Sequence, residues 1–304
     1  GREKGYHGVN LGGRCVGENG GNGKALNHLL PFVDHLRHTL DIERNAFTKG
    51  LPAYGAEWAD ELENSVLSLH DPKTVAAVII EPMAGSAGVI LPPQGYLQRI
   101  RDICTKHGIL LIFDEVITGF GRTGGDWATN TMGVSPDILN CAKGLTNGTV
   151  PMGAVLVGND IYNTVVDAAP EGAIEFAHGF TYSAHPLACA AAIATLDVYR
   201  DEGLFERAAA MAPKLEQAAH SLKGLPFVKD IRNIGMVAGV EFESSAEGLG
   251  KRAGLIQQKC YEAGVLMRLT GETLALSPPL IINEAQIDQI FSTIGEAVKA
   301  VANE

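Results

Sequence analysis

Apolar residues gather into short continuous runs in the first half of the chain and into helical stripes in the second. The runs at residues 75–80, 109–113, 138–140 and 154–157 are flanked by turn-forming residues and read as strands buried on both faces. Segments 55–70 and 94–107 between them carry apolar residues at helical spacing. This alternation predicts an α/β layer with a doubly wound, mostly parallel sheet. From about residue 186 the texture changes to long helices at 187–199 and 204–222, a strand at 237–242, a helix at 248–263 and a strand pair within 265–276. In the last helix Ile287, Ile290, Phe291, Ile294, Ala297, Val298 and Val301 form one apolar stripe. The expected organisation is a large domain over residues 1–186 and a smaller α+β domain over 187–304.

The composition narrows the function classes. A chain of 304 residues with 46% hydrophobic and 19% charged residues is that of a globular protein with a substantial core. The net charge of -11 argues against a general affinity for nucleic acid or an anionic membrane, so a small-molecule ligand is expected. No apolar run approaches the roughly 20 residues of a membrane span, and GREKGYHG at the start has no signal-peptide core. Cys15, Cys104, Cys141, Cys189 and Cys260 are scattered without a C-x-x-C pair, which reads as reduced thiols in a cytoplasmic protein. His35 and His38 have ligand-like spacing, but with no further ligand nearby a solvated helix face is expected and no metal site.

The chemistry concentrates after the run at 109–113, in FDEVITGFGRTGG (113–125). Ligands of open parallel sheets bind beyond the carboxyl ends of the strands, where Asp114 would stand. A carboxylate there is costly unless something positive or hydrogen-bonding meets it. The G-x-G-x-x-G at 119–124 begins too far beyond the strand for a dinucleotide turn, and GDWATNTMGVSP after it has no helical apolar period. Lys143 is the only charged residue between Asp137 and Asp160. Alone it fits a surface loop after a strand better than a site. A partly desolvated lysine, however, titrates easily and is the usual amine nucleophile toward carbonyls. With Asp114 at a neighbouring strand end the pair meets the needs of pyridoxal phosphate, a lysine for the aldehyde and an acid for the ring nitrogen.

Six ordered motifs extend this pair: EPMAG (81–85), FDEVITGFGRTG (113–124), AKGLTNG (142–148), PMGAVLVG (151–158), HGFTYSAHP (178–186) and MRLTGETLALSPPL (267–280). Together they resemble the class III aminotransferases of fold type I, most closely the omega-amino acid:pyruvate (beta-alanine:pyruvate) branch. The resemblance implies pyridoxal 5'-phosphate as cofactor, an omega-amino acid or amine donor, pyruvate as acceptor, and a homodimer with shared active sites. Lys143 matches the lysine that carries the cofactor, and Asp114 matches the partner of its ring nitrogen. Val116 matches the apolar residue on one ring face and Tyr6 the aromatic on the other, within a motif completed by His7 and Gly8. Thr181 matches a threonine that reaches the cofactor phosphate of the other subunit, and Arg268 a mobile arginine for the substrate carboxylate.

Ile117 replaces a glutamine found in the ornithine and 4-aminobutyrate enzymes, which favours the pyruvate branch. Glu115 acquires no role. The family also has a long segment before GYHG with a glycine- and serine-rich phosphate-binding turn, and neither is supplied here, so the chain alone is expected to hold the cofactor poorly. The same Lys143 and Asp114 would serve an aminomutase or decarboxylase, distinguished by whether pyruvate is consumed. A scaffold that only dimerises is the non-enzymatic alternative.

Overall fold

The computed structural model of the chain describes residues 1–18 and 30–303. Near the start, β1 (Arg2–Glu3) and β2 (Gly17–Glu18) form a small parallel pair. The predicted runs then appear as β3 (Ala77–Ile80), β4 (Leu110–Asp114), β5 (Ile138–Cys141) and β6 (Ala154–Val157), hydrogen-bonded in that order. The β3–β4 and β4–β5 pairings are parallel, and β6 runs antiparallel at the edge. Ile80, Leu111 and Phe113 are fully buried against Tyr96 and Ile100 of the helix Tyr96–His107, which lies over this sheet. Removing one such large side chain would cost about 3–5 kcal/mol through lost transfer energy and the cavity left behind.

The second sheet is antiparallel and ordered β7–β8–β10–β9, from β7 (Val228–Ile234), β8 (Val237–Phe242), β9 (Arg268–Thr270) and β10 (Thr273–Leu276). Helices Leu204–His220, Lys251–Glu262 and Glu284–Ala302 share its core, where Ile287, Ile294 and Val298 of the predicted stripe are fully buried. The last helix starts with a capping box. Gln286 N–H donates to Asn283 Oδ1 at 2.9 Å, and Asn283 N–H to Gln286 Oε1 at 3.0 Å. Met83, Val89 and Leu91 from beyond β3 pack on Ile234 and Val237, joining the two sheets. Helix Pro186–Asp201 places Ala192 against Phe120, Cys141 and Leu145 on the first-sheet side.

Three expectations are corrected. Segment 55–70 is not one α-helix but a 3-10 turn Ala56–Asp60, a π turn Leu62–Val66 and a short α turn Leu67–Leu69. The winding tightens and then loosens, which brings Trp58, Ala59, Leu62, Val66 and Leu67 onto one core. Strand β6 is not buried: Val155 is 65% and Leu156 49% exposed, because an edge strand is covered only where another element lies on it. His35 and His38 lie in an extended segment bridged to β1 through Leu36, not on a helix, and both are partly buried. Strand β7 escapes the apolar pattern because it buries charge. Arg232 pairs with Asp230 at 2.6 Å and with Glu241 at 2.7 Å, so each buried ion has a partner. All five cysteines are unpaired thiols, and four of them are buried. Among the described residues no helix is long and apolar enough to cross a membrane.

Candidate active site

Asp114 is the last residue of β4 and stands beside Asn140 of β5, so strand register carries it to the carboxyl edge of the sheet. It is 6% exposed. Val116 N–H donates to its Oδ1 at 3.1 Å, and His7 Nδ1 lies 2.8 Å from Oδ2. An ionised carboxylate has no hydrogen to give, so Nδ1 carries it and His7 holds Asp114 in one orientation. Lys143 follows β5, opening the 3-10 turn Lys143–Leu145 at φ 46°, a left-handed conformation that costs a lysine on the order of 1 kcal/mol. Tyr199 OH donates to the Gly144 carbonyl at 2.7 Å and braces that turn.

These strand ends open into a cleft of about 910 Å³ between the two sheets. Lys143, Val116, Ile117, Gly85 and Ser86 line it from the first sheet, and Arg268, Ala275 and Leu276 from the second. Desolvation lowers the Lys143 amine below the ordinary lysine value, and Arg268 adds to the effect, while Asp114 and Glu81 oppose it. Arg268 opens β9 and is exposed, and its Nε donates to Thr270 Oγ1 at 3.3 Å. Arg122 joins the two sides: its Nη1 donates to the carbonyls of Met236 at 2.8 Å and Pro278 at 2.6 Å. Burial brings that guanidinium down to about 10.

The structure thus gathers Val116, Lys143 and Arg268 around one opening, with the His7–Asp114 pair next to Val116. Tyr6 and Gly8 flank His7. Tyr6 is partly buried, with its N–H donating to Glu81 Oε1 at 2.9 Å, and Gly8 adopts φ 107°. Thr181 is not brought in; it is exposed in the segment before helix Pro186–Asp201 and does not line the cleft. The glycines after β4 serve packing. A Cβ on Gly119 would lie 2.6 Å from the Trp127 ring, and one on Gly121 2.9 Å from Phe205.

Two carboxylates gained no role from the sequence. Glu115 is fully buried and accepts from Ala128 N–H at 2.7 Å, Thr129 N–H at 2.8 Å, Thr129 Oγ1 at 2.9 Å and Thr118 Oγ1 at 2.9 Å. It caps the helix Ala128–Met132, which therefore forms where the sequence has no apolar period. Glu81, just beyond β3, is 5% exposed, and burial pushes its carboxyl up to about 7. Its place in EPMAG was visible, but a lone Glu before Pro signals no function. The hydroxyl of Ser86, buried on the cleft wall and without a hydrogen-bond partner among the described residues, likewise had no signal.

Asp114, at the carboxyl end of a parallel strand, and a desolvated lysine after the next strand are the donor set that a pyridoxal ring requires, and the cleft is large enough for a ring and a small substrate. The comparisons point the same way. The class-III aminotransferase family profile matches residues 2–298. An omega-aminotransferase of Caulobacter vibrioides is 51% identical over 97% of this chain and 66% of its own length. A beta-alanine–pyruvate aminotransferase of Pseudomonas aeruginosa is 46% identical over 99% of this chain and 67% of its own length. The crystal structure of an (S)-enantioselective omega-transaminase from Thermomicrobium roseum superposes with a TM-score of 0.88 at 34% identity, over 99% of this chain and 67% of that one. The chain therefore spans about two thirds of the length of the proteins it matches. Motifs, sheet topology and family match agree: the chain belongs to the class-III aminotransferases.

Proposed function

We propose that this chain forms the greater part of a pyridoxal phosphate-dependent transaminase that moves an amino group from an omega-amino acid or amine to pyruvate in a ping-pong cycle. The observation that carries the reading is the convergence of Lys143 and Arg268 on one cleft from the turn after β5 and from β9, with Asp114 at the end of β4 behind Val116 and close enough to act on the Lys143 amine. When bound, pyridoxal phosphate supplies an electron sink for the charge left at the substrate carbon after proton removal. Asp114 would hold the proton of the ring nitrogen, with His7 fixing its orientation, and Val116 would pack on the ring. Lys143 would carry the cofactor at rest. Its amine, once released and made easier to deprotonate by desolvation, would move the proton at the reacting carbon.

Arg268 would receive the carboxylate of pyruvate or beta-alanine. The relative from Pseudomonas aeruginosa, 46% identical, is by name a beta-alanine–pyruvate aminotransferase. A homodimer fits the exposed apolar side chains of Ile174, Phe176, Phe180 and Tyr182, which lie near Thr181 in sequence; an interface there would place Thr181 at a partner's site. The unpaired thiols support a cytoplasmic setting. Residues 1–186 and 187–304 would form the cofactor-binding and small domains, with the Pro186–Asp201 helix as the connection. The test is alanine formation from pyruvate and beta-alanine with added cofactor. It should occur with the unsubstituted protein and vanish in Lys143→Ala; turnover without pyruvate consumption would exclude a transaminase.

A further inference from the structure

Glu81 is a buried carboxylate that the proposed cycle does not use. Its two oxygens hold two backbone segments, one carrying His7 and one lining the cleft: Tyr6 N–H donates to Oε1 at 2.9 Å and Gly85 N–H to Oε2 at 3.2 Å. Tyr6 precedes His7, which orients Asp114, and Gly85 lines the cleft with Ser86. One side chain thus fixes the backbone on which the His7–Asp114 pair depends and the wall facing Lys143. Its own backbone is held as well, because Arg2 Nη2 donates to the Glu81 carbonyl at 2.8 Å.

We propose that Glu81 is a positioning residue for the cofactor: in its ionised form it holds Tyr6 and Gly85 in place and adds negative potential beside Asp114, so that cofactor binding depends on its charge. This rests on the function proposed above. An ionised carboxylate accepts at both oxygens, whereas a protonated one turns one oxygen toward donation and leaves an N–H poorly matched. The charged groups that face it are Arg2 from β1, His7 from the segment after it, Asp114 from β4, and Lys143 beyond β5. Desolvation is the largest influence and Asp114 opposes ionisation further, whereas the Tyr6 N–H, His7 and Arg2 favour it. The balance puts the carboxyl at about 7, so its charge changes within the working range of pH.

The experiment titrates pyridoxal phosphate into the unsubstituted protein, Glu81→Gln and Glu81→Ala from mildly acid to mildly alkaline pH, reading bound cofactor by its absorbance. A parallel set in a Lys143→Ala background removes the titration of the amine. The expected result is an affinity that falls about ten-fold or more as pH drops through 7 in the presence of Glu81, and a weak, nearly flat affinity in Glu81→Gln. If the variants fail to fold, amide exchange at Tyr6 and Gly85 in the unsubstituted protein decides: protection should be greater above pH 7 than below it. Equal affinity and an equal pH slope with and without Glu81, or protection that ignores pH, overturns the inference alone. Cofactor that binds neither the unsubstituted protein nor any variant at any pH, even at concentrations that saturate a weak site, would instead overturn the proposed function beneath it.

Discussion

Arg268 and Lys143 face one cleft from different sheets, and the two residues ask different things of a substrate. Pyruvate has a carboxylate next to its reacting carbon, an omega-amino acid has one at its far end, and a simple amine has none. A fixed buried guanidinium would be left unpaired with the amine at a cost of several kcal/mol. Arg268 is exposed and, among the described residues, hydrogen-bonds to Thr270, so it can serve a carboxylate and otherwise remain in solvent. Arg268→Ala should raise KM for pyruvate and beta-alanine by at least about ten-fold, roughly 1.5 to 3 kcal/mol for a charged hydrogen bond. The half-reaction of a carboxylate-free amine such as 1-phenylethylamine, followed by single turnover, should be nearly unchanged. Equal losses for both donor types would make Arg268 structural. At this scale Asp114 and Lys143 were legible because a charge at the end of an apolar run stands out. Glu81 and Glu115 were not, since their partners are backbone N–H groups that a sequence does not display.

Elements near the site depend on such contacts as much as on their own pattern. The helix Ala128–Met132 starts where Glu115 accepts two successive backbone N–H groups from a position 13 residues earlier in sequence. Glu115→Ala would orphan those donors together with two threonine hydroxyls, a loss on the order of 3 kcal/mol. Glu115→Gln, which keeps one acceptor oxygen, should lose less. Chemical denaturation of the three proteins checks the order, and an unchanged midpoint for Glu115→Ala would remove the capping role. The core strands β3, β4 and β5 and the last helix were readable because each buries a face with an unbroken apolar period. Strand β7 was hidden by its paired Asp230 and Arg232, and the broken helix at 56–69 by a winding that packing, not propensity, decides.

For the whole molecule, two sheets enclose the cleft, and Arg122 ties one side to the other through Met236 and Pro278. The overall class was legible because alternation of apolar runs with helices leaves few packings open. The exposure of β6 was not, since coverage of an edge strand depends on what lies beyond it. The proposed dimer would place Thr181 of one subunit at the site of its partner. Mixing Lys143→Ala subunits with Thr181→Ala subunits should then restore activity, because one site of the mixed dimer carries neither lesion. No recovery after demonstrated subunit exchange would place Thr181 in its own subunit's site. The central claim is that Lys143 carries the cofactor in a cleft polarised by Asp114. Borohydride reduction of the protein loaded with pyridoxal phosphate, followed by peptide mapping, tests it most directly. The account predicts a single stable adduct on Lys143; an adduct on any other lysine, with Lys143 unmodified, would contradict it.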